Sequence, residues 1–476
     1  MPGEAPSRPG YGAFTSPLHR PSPSPRRKSA MALRRIRTRV PLVLGAAALL
    51  LSGCANPSTG SNTDDPTKPV TLKFWHGWSA PGEVKAINEN IARFEKLHPN
   101  IDVVSTGNVS DETINQALRA GGGDAPDVVT SFTTNNVGQY CSSGMWVDLD
   151  PFLRKSGIDK AKVFPKTLLD YTQYEGVQCA TPLLADAFGM YYNKDAFEEA
   201  GISRPPRTMS EMKADAVKLT RKKKDGSLER AGFMPNFQLY QNAPDRMFAQ
   251  WGPRYFDGEG RAKLADEPKT EEFFTTMRAL SDAQGGYDAM ERLRAGFGDE
   301  MSSQNGFLTG KLAMHLDGEW RGLMLKEAKA EFEWDVAPLP VPDDQADTYG
   351  RGYLTGTVAG IAHSSRHQNA AWELVKYLTI DTEPVVHFAN AIHNVPSTFD
   401  ALKSPDLDAD PAFRAFIKIA QNPHSQAVPP SNNGGQYINS FGDFSQSVEA
   451  GRTRNLHHAL KELDDQIDAD NLQSEN

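Results

Sequence analysis

Cysteine is scarce in this chain: three in 476 residues, at positions 54, 141 and 179. No CxxC pair stands in it, and neither HExxH nor GxSxG does, so no motif pairs a nucleophile or a metal with its base. The eleven histidines are scattered. His457 and His458 are adjacent and face different sides of a helix, whereas a helical zinc pair needs i, i+4 spacing. No metal or cofactor is expected. Long apolar runs are missing as well. The longest, Val40 to Leu51, has 12 residues, too few to cross a bilayer as a helix. No internal repeat occurs. Positive charge is short over most of the chain: residues 1–53 hold nine Lys/Arg and one Glu, a net of +8, so residues 54–476 carry −17 of the formal −9. That acidity argues against nucleic-acid binding. No cluster of basic residues is legible, which disfavours a phosphorylated ligand.

What is present begins with the amino-terminal segment. Residues 1–30 are rich in Pro, Ser and Arg and read as a disordered or untranslated extension. Met31 is a second candidate start. After it come a basic run, Arg34 to Arg39, the apolar run, and "LSGC" from Leu51 to Cys54. This order resembles a lipoprotein signal, residues 31–53, with Cys54 as the lipidated first residue and residues 54–69 as a flexible tether. Two or more acyl chains anchor stably where one binds only marginally. An oxidising compartment permits a disulfide between Cys141 and Cys179; two buried free thiols are the other reading.

From Val70 the pattern is regular. "VTLKFW" is a strand, and Val84, Ile87, Ile91, Phe94 and Leu97 lie at helical spacing, with Pro99 beyond. "IDVVST" is a second strand, "DETINQALRAGGG" a helix with a glycine stop, and "PDVVTSF" a third strand. Strand–helix–strand–helix–strand implies a parallel sheet. Further on, "FGMYYN" and "TVAGIA" are strands, and "NAAWELVKYLT" is a helix. Thr208 and Glu211 form a capping box. Residues 401–430 read as surface loops and short helices.

Three phosphate- or cation-like patterns fail. "GFLTGKL", Gly306 to Leu312, has one residue too few for a P-loop and Leu312 where Ser or Thr should stand. Gly350, Gly352 and Gly356 miss the dinucleotide spacing by one. "DLDADP" puts Pro411 and Ile417 at the Gly and Glu positions of a calcium loop.

Other motifs converge on a family. "GMYYNKDAFEEAGISRPPRTMSEM", Gly189 to Met212, resembles a pattern of the family 1 extracellular solute-binding proteins, the carbohydrate-binding lipoproteins of ABC importers typified by the maltose binders. "KFWHGWS", "GGGDAPDVV", "FLTGKLAMHLDGEW" and "AAWELVKYLT" are similar to the same family in the same order, over roughly residues 70–395. The resemblance implies an α/β, two-lobed fold, each lobe a mainly parallel sheet flanked by helices. The first lobe would hold residues 70–182 and 356–395, the second 183–355 and 396–476. The chain would cross between them near 180–186, 350–356 and 394, and a monomer would close on ligand at this hinge.

The resemblance places a ligand-facing aromatic at Trp320, delivered by a loop Asp317-Gly318-Glu319 after the strand Leu312 to Leu316. It aligns Asp186 with an acidic residue that bonds sugar hydroxyls. Aromatic rings cover the apolar faces of a sugar, and carboxylates and amides bond its hydroxyls. Trp75, His76 and Trp78 end the first strand, and at least one should face the cleft. Phe132 and Thr133 follow the third strand, Asn236 and Trp251 lie in the variable part of lobe two, and Arg351 and Tyr353 sit at the second hinge crossing. Glu319 adjoins Trp320, and Tyr192 is either core or cleft. The implied partners are a carbohydrate and the importer's permease subunits. A carbohydrate-active enzyme and a binder of a non-sugar solute such as a polyamine stand as alternatives.

Overall fold

The structure is a computed structural model that describes residues 68–408 and 410–474. The extension, the signal, Cys54 and nearly all of the tether lie outside the described residues. Among the described residues there are twelve strands: β1 Val70–Trp75, β2 Ile101–Thr106, β3 Val128–Ser131, β4 Gln173–Tyr174, β5 Val177–Gln178, β6 Thr181–Asn193, β7 Arg221–Lys222, β8 Leu228–Phe233, β9 Leu312–Gly318, β10 Trp334–Ala337, β11 Leu354–Ile361 and β12 Val395–Pro396. Ten of them form one sheet in the order β2-β1-β3-β11-β6-β9-β8-β7, with β10 and β12 also pairing β6; β4 and β5 make a separate hairpin.

The expected parallel pairing holds where crossover helices intervene. β1 pairs β2 and β3 in parallel, and β8 pairs β9 in parallel. The strands of the middle differ: β6 runs antiparallel to β11, β9, β10 and β12. The chain leaves the first half of the sheet by β6 and comes back by β11, so these two run in opposite senses. β6 is 13 residues long, about 43 Å when extended. Thr181 to Ala187 pair with β11, and Phe188 to Tyr192 pair with β9. One strand therefore belongs to both halves, and the changeover falls at Asp186–Phe188.

Local sequence explains the flanking elements. In β1, Val70, Leu72 and Phe74 turn inward at period two. The helix Pro81–Leu97 buries Ile87, Ile91 and Phe94. The helix Asp111–Ala120 is capped by Ser110, whose hydroxyl accepts from Thr113 N–H at 3.2 Å, and Gly121 at φ 59° stops it. Thr208 caps the helix Met209–Leu219 by accepting from Glu211 N–H. Glu211 accepts in turn from the backbone of Arg207 and of Thr208, as a capping box requires of Thr208, and Arg204 grips the same carboxylate.

Among the described residues there are three apolar cores, one of which includes Ala185 and Ala187 at the changeover; the other two lie in the two halves. One gathers Leu72, Phe74, Ile87, Phe94, Trp372 and Phe388. The other gathers Met212, Phe248, Phe273, Tyr437, Phe441 and Ile467, so the last two helices, Gln436–Glu449 and Leu456–Gln473, pack on the second half. The stretch 401–430 departs from its reading as surface. Its helix Phe413–Gln421 buries Phe413, Phe416, Ile419 and Ala420. That helix sits on β6, where a Cβ on Gly189 would lie 2.9 Å from Phe416. The cause is an apolar stripe at three-residue spacing hidden among Asp and Pro. A disulfide joins Cys141 and Cys179, their Cα atoms 5.7 Å apart. Among the described residues no helix is long and apolar enough to cross a membrane.

Candidate functional site

Four strands meet at the changeover. In register, Asp186 of β6 lies opposite Thr355 of β11, Ala185 lies opposite Val395 of β12, and Phe188 lies opposite Gly318 of β9. The side chains there form a polar knot. Asn394 Nδ2 donates to Asp186 Oδ1 at 2.5 Å and to Glu319 Oε1 at 2.8 Å. Glu319 Oε2 accepts from Ala187 N–H at 3.0 Å. The two carboxyls also bond each other, and burial raises both. Asp186 is pushed up to about 6, held there against the attraction of Arg246 and the bonds from Asn394 and Glu319. Glu319 is raised well above the usual range by burial and then by the charge of Asp186. Burial thus makes the pair hold on to protons to higher pH than free carboxyls do.

An aromatic group adjoins the knot and centres on Phe188. Trp320 meets that ring edge-on at 5.7 Å, Tyr353 at 5.5 Å, and the Arg246 guanidinium lies over it at 4.7 Å. Trp320 is half-buried, and its Nε1 has no hydrogen-bond partner; Arg246 Nε is likewise buried and unpartnered. Tyr353 is bonded to Asp245.

The strand-to-helix junction that presents Trp320 is tightly held. β9 runs on through Asp317 and Gly318, and the helix Trp320–Ala328 starts two residues later, so no loop stands there as expected from the sequence. Gly318 leaves room for the Trp320 ring, from which a Cβ there would lie 2.2 Å. Arg321 Nε bonds Asp317 Oδ2 at 2.6 Å in the interior, and Tyr191 Oη donates to Gly318 O and accepts from Gly322 N–H, each at 2.9 Å. The "TGK" of Thr309–Lys311 forms the turn into β9, with Gly310 at φ 68°.

The other expected residues are dispersed. Trp78 is 2% exposed and packs edge-on against Phe388 at 4.6 Å, inside the core of the first half. His76 is buried between the rings of Phe74 and Trp78, bonded to Ser105 Oγ at 3.0 Å, and burial lowers its pKa to about 4. It is neutral at ordinary pH. Trp75 is half-buried. Phe132 is 37% exposed beyond β3, and Thr133 bonds the carboxyl of Asp111. Trp251 is 1% exposed in the core of the second half, its Nε1 donating to Glu272 at 3.1 Å. Asn236 is buried and donates to Glu291 at 2.6 Å. Arg351 is tied inside by Gln250 O and Gln345 Oε1. Tyr192 is half-buried, its hydroxyl 3.5 Å from Asp335.

Asp186, Glu319, Trp320 and Tyr353 are therefore gathered at one place. Sequence reasoning missed Phe188, Arg246 and Asn394, which complete it. Asn394 carried a signal, since it stands at a hinge crossing that the resemblance marked. Arg246 carried none. Among the described residues no group of three His, Cys, Asp or Glu side chains is placed to hold a metal ion.

Comparison with known proteins fits this geometry. Residues 79–381 match the model of the bacterial extracellular solute-binding protein family. A maltotriose-binding protein of Pyrococcus abyssi is 24% identical over 361 residues, covering 75% of this chain and 73% of that one. A lipoprotein encoded upstream of oleD in Streptomyces antibioticus is 24% identical over 387 residues, covering 78% and 79%. Among solved structures, the sugar-binding protein MalE of Xanthomonas citri superimposes with a TM-score of 0.70 at 22% identity, covering 85% of this chain and 98% of that one. The chain belongs to the bacterial extracellular solute-binding protein family, and its fold is the α/β periplasmic-binding-protein fold. It is by family a binding protein and not an enzyme.

Proposed function

We propose that this chain captures a mono- or oligosaccharide at the changeover of β6 and delivers it to the permease subunits of an ABC importer, working as a monomer. The observation that carries the reading is the knot Asp186–Asn394–Glu319 beside Trp320. It offers fixed carboxyl and amide partners for hydroxyls and a ring for an apolar sugar face, with one indole N–H unused. The names of the relatives support it, since the Pyrococcus protein is a maltotriose binder and the Xanthomonas protein a sugar binder.

In this reading residues 70–182 and 356–395 form one lobe, and 183–355 and 396–476 the other. Hinge closure brings Trp75, Phe132 and Thr133, from the first lobe, toward Trp320. Cys54 carries the acyl chains that hold the protein at the outer face of the membrane; the Streptomyces lipoprotein supports this. A calorimetric or thermal-shift screen of mono- and oligosaccharides on residues 55–476 tests the function. Stabilisation by one sugar series is expected. If no sugar stabilises the protein while a polyamine or a metal ion does, the sugar reading is refuted.

A further inference from the structure

Basic side chains that are far apart in the sequence converge on the second half of the molecule. Arg221 and Lys223 come from β7 and its turn, Arg230 from β8, Arg292 from the helix Tyr287–Arg294, and Lys311 from the turn before β9. With Glu229 as the one acid among its lining, they surround a cavity of about 630 Å³. This corrects the expectation that the chain has no basic cluster. Sequence could not show it, because the five cations are spread over ninety residues and joined only by sheet pairing. In residues 54–476, which carry −17, five cations gathered about one cavity stand out.

Arg221 and Arg230 both reach Glu199, and Lys311 lies against Gly296 O and the ring of Phe297. Lys223 lies within electrostatic reach of Asp225, and Arg292 makes no ion pair among the described residues. The pKa of Arg230 is lowered by burial and then by the charge of Arg221, as expected where cations crowd. Leu228 and Leu293 supply an apolar wall. The cavity is not the ligand cleft. Lys311 precedes β9 and Trp320 follows it, so the two sites lie at opposite ends of a seven-residue strand, roughly 20–30 Å apart.

We propose that this cavity is a second binding site, for a phosphate ester. Guanidinium groups meet phosphate oxygens in pairs, and Lys supplies a point charge. The volume falls in the range of small-molecule pockets, about 300–1,000 Å³, well above what bare phosphate fills. The apolar wall takes the carbon part of the ester, and Glu229 accepts from a hydroxyl. The same chemistry is offered by a free phosphate ester and by the headgroup of an anionic lipid. The site is independent of what the cleft binds.

The test uses the purified full chain with two probes at low salt: glycerol 2-phosphate by calorimetry, and vesicles of phosphatidylglycerol with phosphatidylcholine by co-sedimentation, against phosphatidylcholine alone. Binding of at least one probe is expected, weakening as salt rises. Arg292→Gln with Lys311→Gln should weaken it at least tenfold, and Lys223→Gln alone should weaken it less; Trp320→Ala should leave it unchanged. Binding of the ester alone assigns a free ester, and binding of the vesicles alone assigns a headgroup. Binding of neither probe overturns the proposal. So does binding that survives the double variant in a chain of unchanged Tm, or binding abolished by Trp320→Ala. If the double variant is misfolded, Lys223→Gln decides, since Lys223 is exposed.

Discussion

At the scale of single residues, the knot of Asp186, Glu319 and Asn394 makes two measurable statements. Both carboxyls stand above their ordinary values in the folded chain, Asp186 at about 6. As pH climbs from about 4, the unfolded value, the folded chain holds protons that the unfolded chain has lost. The stability linked to them is fully present below the unfolded pKa and is lost as pH rises through the folded one. Asp186→Asn keeps an acceptor for Asn394 and removes this titration. Its Tm should therefore fall less than that of the parent between pH 5 and pH 7, and a parallel pair of curves would refute the argument. The second statement concerns Trp320. Replacing it by Ala removes a half-buried ring and the unpartnered Nε1 without touching the Asp317–Arg321 pair that holds the junction. Sugar affinity should drop by about tenfold or more, since ring contacts contribute on the order of 1–2 kcal/mol, while the Tm stays close to the parent's. Unchanged affinity would remove Trp320 from the site.

At the scale of elements, close backbone approach makes the β6–β11 pairing exacting. A Cβ on Gly356 would lie 2.2 Å from Leu184 O. Backbone cannot rotate aside as a side chain can, so Gly356→Ala should destabilise by roughly 1–3 kcal/mol, read as a lower midpoint in urea with an unchanged m-value. The disulfide Cys141–Cys179 spans 38 positions. Loop-closure entropy for that span corresponds to about 4 kcal/mol, so replacing both by Ser should lower the Tm; an unchanged Tm would mean that the unfolded chain is already constrained. Elements of this length were legible from sequence wherever a period was local. Val70, Leu72 and Phe74 announce β1, and Ile87, Ile91 and Phe94 announce its helix. The antiparallel run of β6 against β11 was not legible, because it joins residues about 170 positions apart. Nor was the fate of Trp78 and Trp251. A tryptophan at a strand end reads the same whether it faces a cleft or a core, and only packing against Phe388 or Phe273 decides. The candidate site was half legible: the family motifs brought Asp186 and Trp320, while Arg246 and Phe188 joined them through tertiary contact alone.

At the scale of the whole molecule, every strand pairing that joins the two halves of the sheet runs through β6 or β11, and the polar knot sits at their crossing. A sugar can drive closure only by binding the closed arrangement better than the open one. Moving the balance from 1:99 to 99:1 takes about 10⁴-fold preference, roughly 5.5 kcal/mol. Contacts made in both states contribute nothing to it. Trp320 belongs to the second half, and Trp75 and Phe132 to the first, so a sugar held between them would meet both sets only when closed. Small-angle scattering should then show the radius of gyration falling on addition of the sugar found by calorimetry. In Trp320→Ala, saturating sugar should restore occupancy but only part of that fall, because the lost contact is one that favours the closed form. A full contraction in the variant at saturation would place Trp320's contact in both states. No contraction in the parent would leave a rigid cleft and refute hinge closure.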